Sequence, residues 1–509
     1  MPTLDTCEPQ TTPEPARSGP ALADKARQAV AWTAGITIFQ DLLQLAITLN
    51  LTRLLPPDAY GKFSFVNTTI GFFTVFSFRE IVNYTLLVRS DEETNYQDQF
   101  TAGVFIQGAL FLLVNLMAFG IRSLPAYAPA AYALHIMSLL LPLDLISEFR
   151  VKMIERQMDW KRLRTLHAVG LTLGAVLALS MAFAGGGVYS LLVPSLMMPI
   201  PFAYDLFVRE GWRPTWELRR ERYLPAFRFG ITRIGSGGAV TISSFIESAV
   251  LTRAIGFVQL GIYNRALGLS VLVCQRVAAL FVNALYPVLA RVTIQSDQYR
   301  RVSALILRCM AWAVIPLAVG IGLTAEPVIR LLYGTQWLDA VHLVPPALAI
   351  GALISLVHVT YVLLLAHQRQ QYCLAADLVR LSGTVLALVF ALGHGLETYM
   401  LALIAMHTVI LLATLSWLYR DRAMRWTGVQ AAFTPALVGA AAAFASVAML
   451  QWLTGMTIGP IWTGFAAGAL FMTVYLTSLR VVFPASLREL VCQLPRSATL
   501  LSLLRLPAA

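Results

Sequence analysis

The sequence predicts an all-α polytopic membrane protein of fourteen transmembrane helices, arranged as two six-helix lobes and two further C-terminal helices. Three observations predict this fold. Of the 509 residues, 57% are hydrophobic and only 13% are charged, whereas soluble domains carry roughly a quarter charged residues. Apolar runs long enough to cross a bilayer recur along the whole chain. The first half of the chain also shares a sequence frame with the second half at a fixed offset.

The shared frame lies where the first apolar span ends, and its second copy follows 200 residues later. The matched positions are Leu51–Arg53 with Leu251–Arg253 (both Leu-Thr-Arg), Gly61 with Gly261, and Gly35 with Gly235. Pro56 and Pro57 stop the first helix, because proline removes a hydrogen-bond donor and the residue before it avoids the helical region. Several features at one offset indicate a duplicated helical bundle.

Polar stretches between the apolar spans define the expected domain boundaries. We expect a disordered cytoplasmic tail at 1–27, an N-lobe of six spans at 28–208, a cytoplasmic linker at 209–224, a C-lobe of six spans at 225–419, two more spans within 420–482 and a cytoplasmic tail at 483–509. These bounds follow the hydropathy and the repeat offset.

Basic residues indicate the orientation, because short cytoplasmic loops carry the excess of lysine and arginine. With the N-terminus inside, the outer loops hold only Arg53, Lys62, Arg122, Arg253 and Arg330. An even number of spans then places both termini in the cytoplasm. Topology therefore accounts for the net charge of +11, and we expect no nucleic-acid partner.

The sequence offers no motif for catalysis or for a bound cofactor. It lacks a phosphate-binding glycine loop, zinc-ligand spacing and a nucleophile motif. The five cysteines are scattered, so they form neither a disulfide framework nor a metal-ligand cluster. The polar connections are too short for a soluble domain. We therefore expect no metal, no cofactor and no enzymatic activity.

Arginines within the apolar spans are the first candidate site residues, because a charge at bilayer depth usually faces a cavity or a partner. Arg265, Arg276 and Asn283 share one face of span 8, while Arg79 lies on span 2 and Arg233 on span 7. For Arg265, near the outer end of its span, reaching to the headgroups is the alternative. Guanidinium groups bind phosphate through paired hydrogen bonds. We predict that Arg79, Arg233, Arg276 and Asn283 line a cavity for a sugar-bearing diphosphate.

Acidic residues within the spans form the second candidate set. Asp41 on span 1 and Glu247 on span 7 are candidates for ion coupling or gating, with a structural interhelical bridge as the alternative. Asp144 and Glu148 lie four residues apart on span 4, where two like charges repel. Either one of them is protonated, or an arginine from a neighbouring helix sits between them.

Several motifs resemble one family of membrane proteins over about residues 28–420. These motifs are Arg53–Gly61, Glu155–Leu163, Gly186–Val193, Phe227–Gly230, Leu260–Ala266 and Tyr286–Arg291. They resemble the polysaccharide transporter family, flippases for lipid-linked oligosaccharides in the multidrug/oligosaccharidyl-lipid/polysaccharide (MOP) exporter superfamily. That superfamily also contains the multidrug and toxic compound extruders (MATE).

The resemblance implies a MATE/MOP-like fold, with two lobes around a central cavity that opens alternately to either side of the bacterial inner membrane. It implies lipid-linked oligosaccharide as substrate, contact with membrane lipids, and polysaccharide polymerase machinery as a candidate partner. One position departs from the family. Many relatives carry Asn-x-Asp on span 7, where this chain has Phe245-Ile246-Glu247, which leaves ion coupling there open.

Three functional hypotheses follow. The first is a flippase for undecaprenyl-diphosphate-linked oligosaccharide repeat units in exopolysaccharide, O-antigen or capsule biosynthesis. The second is a cation-coupled multidrug exporter, in which Asp41 or Glu247 would carry the ion. The third is a membrane polymerase or glycosyltransferase, which the lack of a substantial external loop argues against. The sequence does not specify which glycan is carried.

Overall fold

Helices form every regular element of the chain that the structure describes. The computed structural model describes residues 20–83, 96–216, 219–282, 296–454 and 461–491. The helices are α1 (Pro20–Leu54), α2 (Pro57–Thr74), α3 (Arg79–Val82), α4 (Tyr96–Ile121), α5 (Ala131–Ser138), α6 (Leu140–Arg156), α7 (Trp160–Phe183), α8 (Val188–Met197), α9 (Ile200–Tyr204), α10 (Arg220–Ser270), α11 (Asp297–Leu323), α12 (Ala325–Leu332), α13 (Val344–Ala366), α14 (Gln370–Phe390), α15 (Leu396–Arg420), α16 (Trp426–Thr454), α17 (Ile461–Val482) and α18 (Pro484–Val491).

Eleven segments of the described chain are long and apolar enough to cross a membrane, judged by length and composition. One of them, Gly238–Val282, is 45 residues long and contains non-helical backbone angles at Gly256, so it comprises two shorter helices. α1 and α2 are not among the eleven. The all-helical membrane fold is thus confirmed, while the count of fourteen spans stays a prediction. α1 begins at Pro20, within the stretch expected to be a disordered tail.

The two copies of the repeated frame break their helices at matching positions. The backbone is extended at Pro56, with φ −73° and ψ 160°. Two hundred residues later, Gly256 interrupts α10 with φ 75° and ψ 174°. Proline ends a helix by lacking an amide hydrogen, whereas glycine adopts a positive φ without steric cost. Different residues therefore produce an interruption at the same register.

The threonine of each Leu-Thr-Arg copy is buried and makes the same local hydrogen bond. The Thr52 hydroxyl donates to the Thr48 carbonyl at 2.7 Å, and the Thr252 hydroxyl donates to the Ser248 carbonyl at 2.7 Å. These bonds satisfy a hydroxyl that would otherwise be buried without a partner.

The most extensive contact between helices joins α2 of the N-lobe to α10 of the C-lobe. Phe72 stacks on Phe245 with ring centroids 4.7 Å apart. Phe65 meets Phe257 edge to face at 6.1 Å. Aromatic pairs of this kind contribute about 0.5–1.5 kcal/mol beyond the burial of their area. Apolar packing therefore joins the two lobes.

The helices that follow the two lobes pack against α11. The Tyr475 hydroxyl of α17 donates to the Trp312 carbonyl at 3.0 Å. A Cβ at Gly320 of α11 would lie 3.1 Å from the Phe471 ring. The C-terminal pair is thus tied to the C-lobe by a buried hydrogen bond and a close ring contact.

Candidate functional site

Charged and polar residues lie at different depths along the axis of the helical bundle. We call the end of the bundle that carries Pro56 and Gly256 the outer end, following the loop-charge prediction, and the opposite end the inner end.

At the outer end the two copies of the repeat touch backbone to backbone. A Cβ placed on Gly61 would lie 2.6 Å from the carbonyl carbon of Phe257 and 2.9 Å from its Cα. A Cβ placed on Gly261 would lie 2.9 Å from the carbonyl carbon of Pro57 and 3.0 Å from the backbone nitrogen of Gly61. Only glycine fits at either position without a shift. The pair of glycines found in the sequence therefore allows the lobes to close on each other.

The segment between α12 and α13 caps the outer end of α1. The last carbonyls of a helix have no partner within it. Here Gln336 Nε2 donates to the carbonyls of Thr52 (3.0 Å), Arg53 (3.0 Å) and Leu55 (3.2 Å). The indole N–H of Trp337 donates to the Thr52 carbonyl at 2.8 Å. A C-lobe segment thus satisfies N-lobe carbonyls, which the sequence reasoning missed because neither residue carries a charge.

Two arginines complete this contact. Arg53 donates to the backbone carbonyls of Leu331 and Leu332 across the lobes. The Arg265 guanidinium lies over the Tyr60 ring, 4.3 Å from its centroid. The alternative in which Arg265 reaches to the headgroups is therefore wrong. Its charge is held by a cation–π contact within the interface of the lobes.

Arg79 lies between Asp144 and Glu148, the two carboxylates that are four residues apart on span 4. Its Nη2 is 3.0 Å from Asp144 Oδ2 and 2.8 Å from Glu148 Oε1. The alternative with an arginine between Asp144 and Glu148 is the one observed. The Arg79 side chain is 48% exposed, whereas the side chains of Asp144 and Glu148 are 16% and 22% exposed.

Arg276 pairs with Asp41 across the two lobes. Arg276 Nη1 is 3.4 Å from Asp41 Oδ1, and the side chains are 60% and 58% exposed. Asp41 precedes Pro56 by fifteen residues, which places it about 20 Å from the outer turn at the helical rise. The pair lies toward the inner end, where the lobes leave both side chains accessible.

Glu247 lines a polar cavity of about 220 Å³ in the C-lobe. The Tyr263 hydroxyl donates a hydrogen bond to the Glu247 carboxylate. The other polar wall residues are Thr68, Ser243, Ser244, Ser248, Asn264, Ser270, Gln275, Arg380, Thr384 and His407. A carboxylate among hydroxyls and two basic side chains is chemically able to hold and release a proton or a small cation.

The structure describes two of the four residues that were predicted to line the substrate cavity, Arg79 and Arg276, with their side chains. Asn283 lies outside the described residues, and so does the side chain of Arg233, although residue 233 belongs to α10. Arg79 pairs with Asp144 and Glu148, whereas Arg276 pairs with Asp41. Within the described parts of the chain, no group of three or more His, Cys, Asp and Glu side chains could hold a metal ion.

The sequence reasoning also missed an ion-pair network at the inner end of the N-lobe. Arg150 is fully buried, with Nε 2.7 Å from Asp205 Oδ2 and Nη2 2.7 Å from Glu210 Oε1. Arg162 contacts the same two carboxylates at 2.8 and 2.7 Å. The sequence analysis attributes the net positive charge to topology, and it predicts no ion pair for these two arginines. Asp205, an acid at the end of an apolar span, was the signal that could have indicated the network.

A family model and several known proteins match this chain. The model, described as "Polysaccharide biosynthesis protein", covers residues 50–342, more than half of the chain. The succinoglycan biosynthesis transport protein ExoT of Rhizobium meliloti (strain 1021) is 26% identical over 291 residues, 56% of this chain and 58% of that protein. The chain therefore matches less than two thirds of that relative's length. The lipopolysaccharide biosynthesis protein WzxC of Escherichia coli (strain K12) is 21% identical over 357 residues, 69% of this chain and 71% of that protein.

The fold of this chain is similar to that of a solved structure. The structure of lipid II flippase MurJ in an inward closed conformation superposes with a TM-score of 0.63 at 14% identity, covering 89% of this chain and 99% of that chain. Of these proteins, ExoT is named a transport protein and MurJ a flippase, and none is named a polymerase or a glycosyltransferase. With a family model over more than half of its length, the chain belongs to the polysaccharide biosynthesis protein family of multi-pass membrane proteins.

Proposed function

We propose that this protein is a flippase that moves undecaprenyl-diphosphate-linked oligosaccharide repeat units from the cytoplasmic to the periplasmic leaflet of the bacterial inner membrane by alternating access. The observation that carries the proposal is an asymmetry between the ends of the bundle. The lobes meet backbone to backbone at Gly61 and Gly261, whereas the charged pair Asp41–Arg276 is more than half exposed toward the inner end.

This asymmetry supports a state that is closed outside and accessible from the cytoplasm. A lipid-linked sugar begins its passage at the cytoplasmic side, so its charged headgroup needs polar groups there while its tail stays in the bilayer. Arg79 and Arg276 are exposed side chains of this region. In our proposal they bind the diphosphate and the sugars next to it, together with Arg233 and Asn283.

The carboxylates paired with these arginines fit a binding cycle. A guanidinium gives two parallel hydrogen bonds to a phosphate as readily as to a carboxylate. The diphosphate would therefore exchange with Asp41 at Arg276, and with Asp144 and Glu148 at Arg79. Asp41 would then act in gating, since it is released from a cross-lobe contact when substrate binds.

Glu247 is our candidate for ion coupling. Its cavity of about 220 Å³ lies between helices of the C-lobe and reaches Thr68 of the N-lobe. A change in its protonation or cation occupancy would alter the contact between lobes. To test this, Glu247→Gln and Glu247→Asp would be compared in proteoliposomes with and without a pH gradient. Equal gradient dependence in both variants and the wild type would exclude Glu247 from coupling.

The test of the flippase proposal is the triple variant Arg79→Gln, Arg233→Gln and Arg276→Gln, expressed in a deletion strain. We expect surface polysaccharide to fall at least tenfold, and lipid-linked oligosaccharide to accumulate where a membrane-impermeant label cannot reach it. Arg480→Gln is the matched control, because Arg480 is an exposed arginine at the end of α17, outside both lobes. Normal polysaccharide output at normal protein level in the triple variant would contradict the proposal.

The multidrug exporter is the remaining alternative, and the Glu247 cavity is compatible with it. It predicts that deletion increases sensitivity to amphipathic cations while leaving lipid-linked oligosaccharide unchanged. The flippase proposal predicts the reverse. Both measurements can be made on the same deletion strain.

A further inference from the structure

Arg265 is a cation at the interface of the two lobes that has no acidic partner. Its guanidinium lies over the Tyr60 ring, 4.3 Å from the centroid, and its Nη1 donates a long hydrogen bond of 3.4 Å to the Thr52 hydroxyl. The Nε–H is buried and makes no hydrogen bond. No carboxylate in the described parts of the chain forms an ion pair with Arg265. The polar contacts of this charge are therefore with neutral groups of the N-lobe.

Acids are present at the outer end, but they pair with other bases or are exposed. Asp58 Oδ2 lies 2.6 Å from Lys62 Nζ. Glu326 Oε1 lies 2.8 Å from Arg330 Nη2. Asp339 is exposed. The lack of an acid beside Arg265 is therefore a feature of the interface itself, and it does not reflect a shortage of acids at this end.

Topology and lipid contact do not account for the position of Arg265. It lies nine residues after the break at Gly256, which places it about 13 Å inward from the outer turn. Loop charge places basic residues at the cytoplasmic end, which is the opposite end of the bundle. An apolar side chain would fill the contact with Tyr60 without the cost of removing a guanidinium from water. The charge therefore indicates a role beyond packing.

The contacts of Arg265 depend on the outer end being closed. Arg265 belongs to α10 of the C-lobe, whereas Tyr60 and Thr52 belong to α2 and α1 of the N-lobe. Separation of the outer ends, which alternating access requires, removes both partners at once. The guanidinium then faces the opening with its donors free. Because a guanidinium binds phosphate through two parallel hydrogen bonds, the opening would present a site for a phosphate group.

Arg276 on the same helix has the opposite arrangement. It follows Arg265 by eleven residues, which corresponds to about 15 Å along the helix toward the inner end. Arg276 pairs with the carboxylate of Asp41 and is 60% exposed, whereas Arg265 contacts neutral groups and is half-buried. In this state the inner arginine is accessible and the outer arginine is covered. The two positions therefore suit the beginning and the end of one path for an anion.

We propose that Arg265 binds the diphosphate of the lipid-linked substrate in the outer-open state, before the substrate leaves into the outer leaflet. This role rests on the proposed function, since it needs a diphosphate that arrives from the inner end. Phosphate oxygens replace Tyr60 and Thr52 at the guanidinium, so the bound substrate stabilises the open outer end. When the diphosphate leaves, the Tyr60 ring covers Arg265 again and the outer end closes.

The test measures the distance between the outer turns of the full-length protein in nanodiscs of phosphatidylcholine, with spin labels at Lys62 and Arg330. Undecaprenyl diphosphate is titrated into the nanodiscs. In the wild type we expect the ratio of outer-open to outer-closed molecules to rise about fivefold or more. Arg265→Gln should abolish that rise, because the guanidinium that binds the diphosphate is absent. If Arg265→Gln does not fold, Arg265→Met, which fills the contact with an apolar chain, gives the same test.

Tyr60→Leu is the matched control, because it removes the ring that covers Arg265 but keeps the guanidinium. Both Tyr60→Leu and Arg265→Gln should increase the outer-open fraction without any diphosphate, since both lose the cation–π contact. Only Tyr60→Leu should respond further when undecaprenyl diphosphate is added. A full response in Arg265→Gln would show that Arg265 only joins the lobes, and it would overturn the inference.

Two further ligands separate the lipid-linked diphosphate from other phosphates. Phosphatidylglycerol and inorganic pyrophosphate are titrated in the same way. A response to undecaprenyl diphosphate alone supports the assignment, whereas an equal response to either of the others overturns it. Failure of the wild type to bind undecaprenyl diphosphate would contradict the flippase function and this role with it. Binding without an opening that depends on Arg265 would contradict only the role of Arg265.

Discussion

Gly61 and Gly261, 200 residues apart in the chain, face each other across the two lobes. A Cβ on Gly261 would lie 3.0 Å from the backbone nitrogen of Gly61. Each glycine also abuts the backbone of the opposite turn, Phe257 for Gly61 and Pro57 for Gly261. The repeat therefore affects the packing of the two lobes, because a glycine in both copies allows the outer ends to close.

Gly61→Ala should destabilise the outer-closed state. The added methyl group meets backbone, which cannot rotate away, and overpacking of this kind costs about 1–3 kcal/mol. The population should therefore shift toward an outer-open state by roughly five- to 150-fold. Spin labels at Lys62 and Arg330 would report the distance between the outer turns. Gly71→Ala in the same helix is the control, because a Cβ there meets nothing within 4 Å. An unchanged distance distribution for Gly61→Ala would remove the role of the glycine contact.

Trp337→Phe should loosen the outer contact while keeping its packing. The substitution preserves an aromatic ring against Tyr60, whose centroid lies 5.4 Å away, but it removes the indole donor to the Thr52 carbonyl. The Thr52 carbonyl keeps its bond from Gln336 Nε2, so the substitution removes one hydrogen bond, which contributes about 0.5–1.5 kcal/mol. We expect faster hydrogen exchange at the outer end of α1, measured by mass spectrometry. Trp462→Phe, at a side chain that is 83% exposed, should leave the exchange unchanged.

Neutralising the Asp41–Arg276 pair should reduce export of polysaccharide while changing the stability of the protein little. Both side chains are more than half exposed, and exposed ion pairs contribute at most about 1 kcal/mol. Asp41→Asn and Arg276→Gln should therefore change the melting temperature little, while export of polysaccharide falls in both and by at least tenfold in Arg276→Gln. If each loss of export were matched by a loss of folded protein, the pair would be a structural bridge.

Glu210 should make the stability of the N-lobe depend on pH. Its hydrogen bond from Arg162, followed by the bond from Arg150, lowers the pKa of the Glu210 carboxyl below its ordinary value. A lowered pKa in the folded state adds stability above the unfolded pKa of about 4.3, and that stability is lost as the pH falls through the folded pKa.

We therefore expect Glu210→Gln to flatten the decline in melting temperature between about pH 5 and pH 3. The measurement is thermal unfolding of the purified protein at successive pH values. Glu397→Gln, at a carboxylate that is 69% exposed, should keep the wild-type slope. A Glu210→Gln curve that runs parallel to the wild type would show that the network contributes no pH dependence.

Several features of this molecule could be derived from the sequence because they depend on local or periodic patterns. The apolar spans require helices, since a membrane offers backbone groups no other partners. The repeated Leu-Thr-Arg frame, with Pro56 and Pro57 after its first copy, predicted the two turns, and the structure adds the close backbone approach of Gly61 and Gly261. The four-residue spacing of Asp144 and Glu148 left two alternatives, a protonated carboxyl or an arginine between the carboxylates, and the structure places Arg79 there.

Other features were decided only by the tertiary structure. The partner of a buried charge lies on a helix that is distant in the chain. Arg265 therefore contacts the Tyr60 ring and not the headgroups, and Arg150 forms an ion pair with Asp205. Uncharged partners such as Gln336 and Trp337 gave no signal, because capping depends on where a loop lies in space and not on its composition. The sequence alone determined a helical membrane protein, and it predicted a duplication and arginine at bilayer depth. Tertiary packing decided which of those arginines are joined to carboxylates and which end of the bundle is closed, because both depend on distances between lobes that no local pattern encodes.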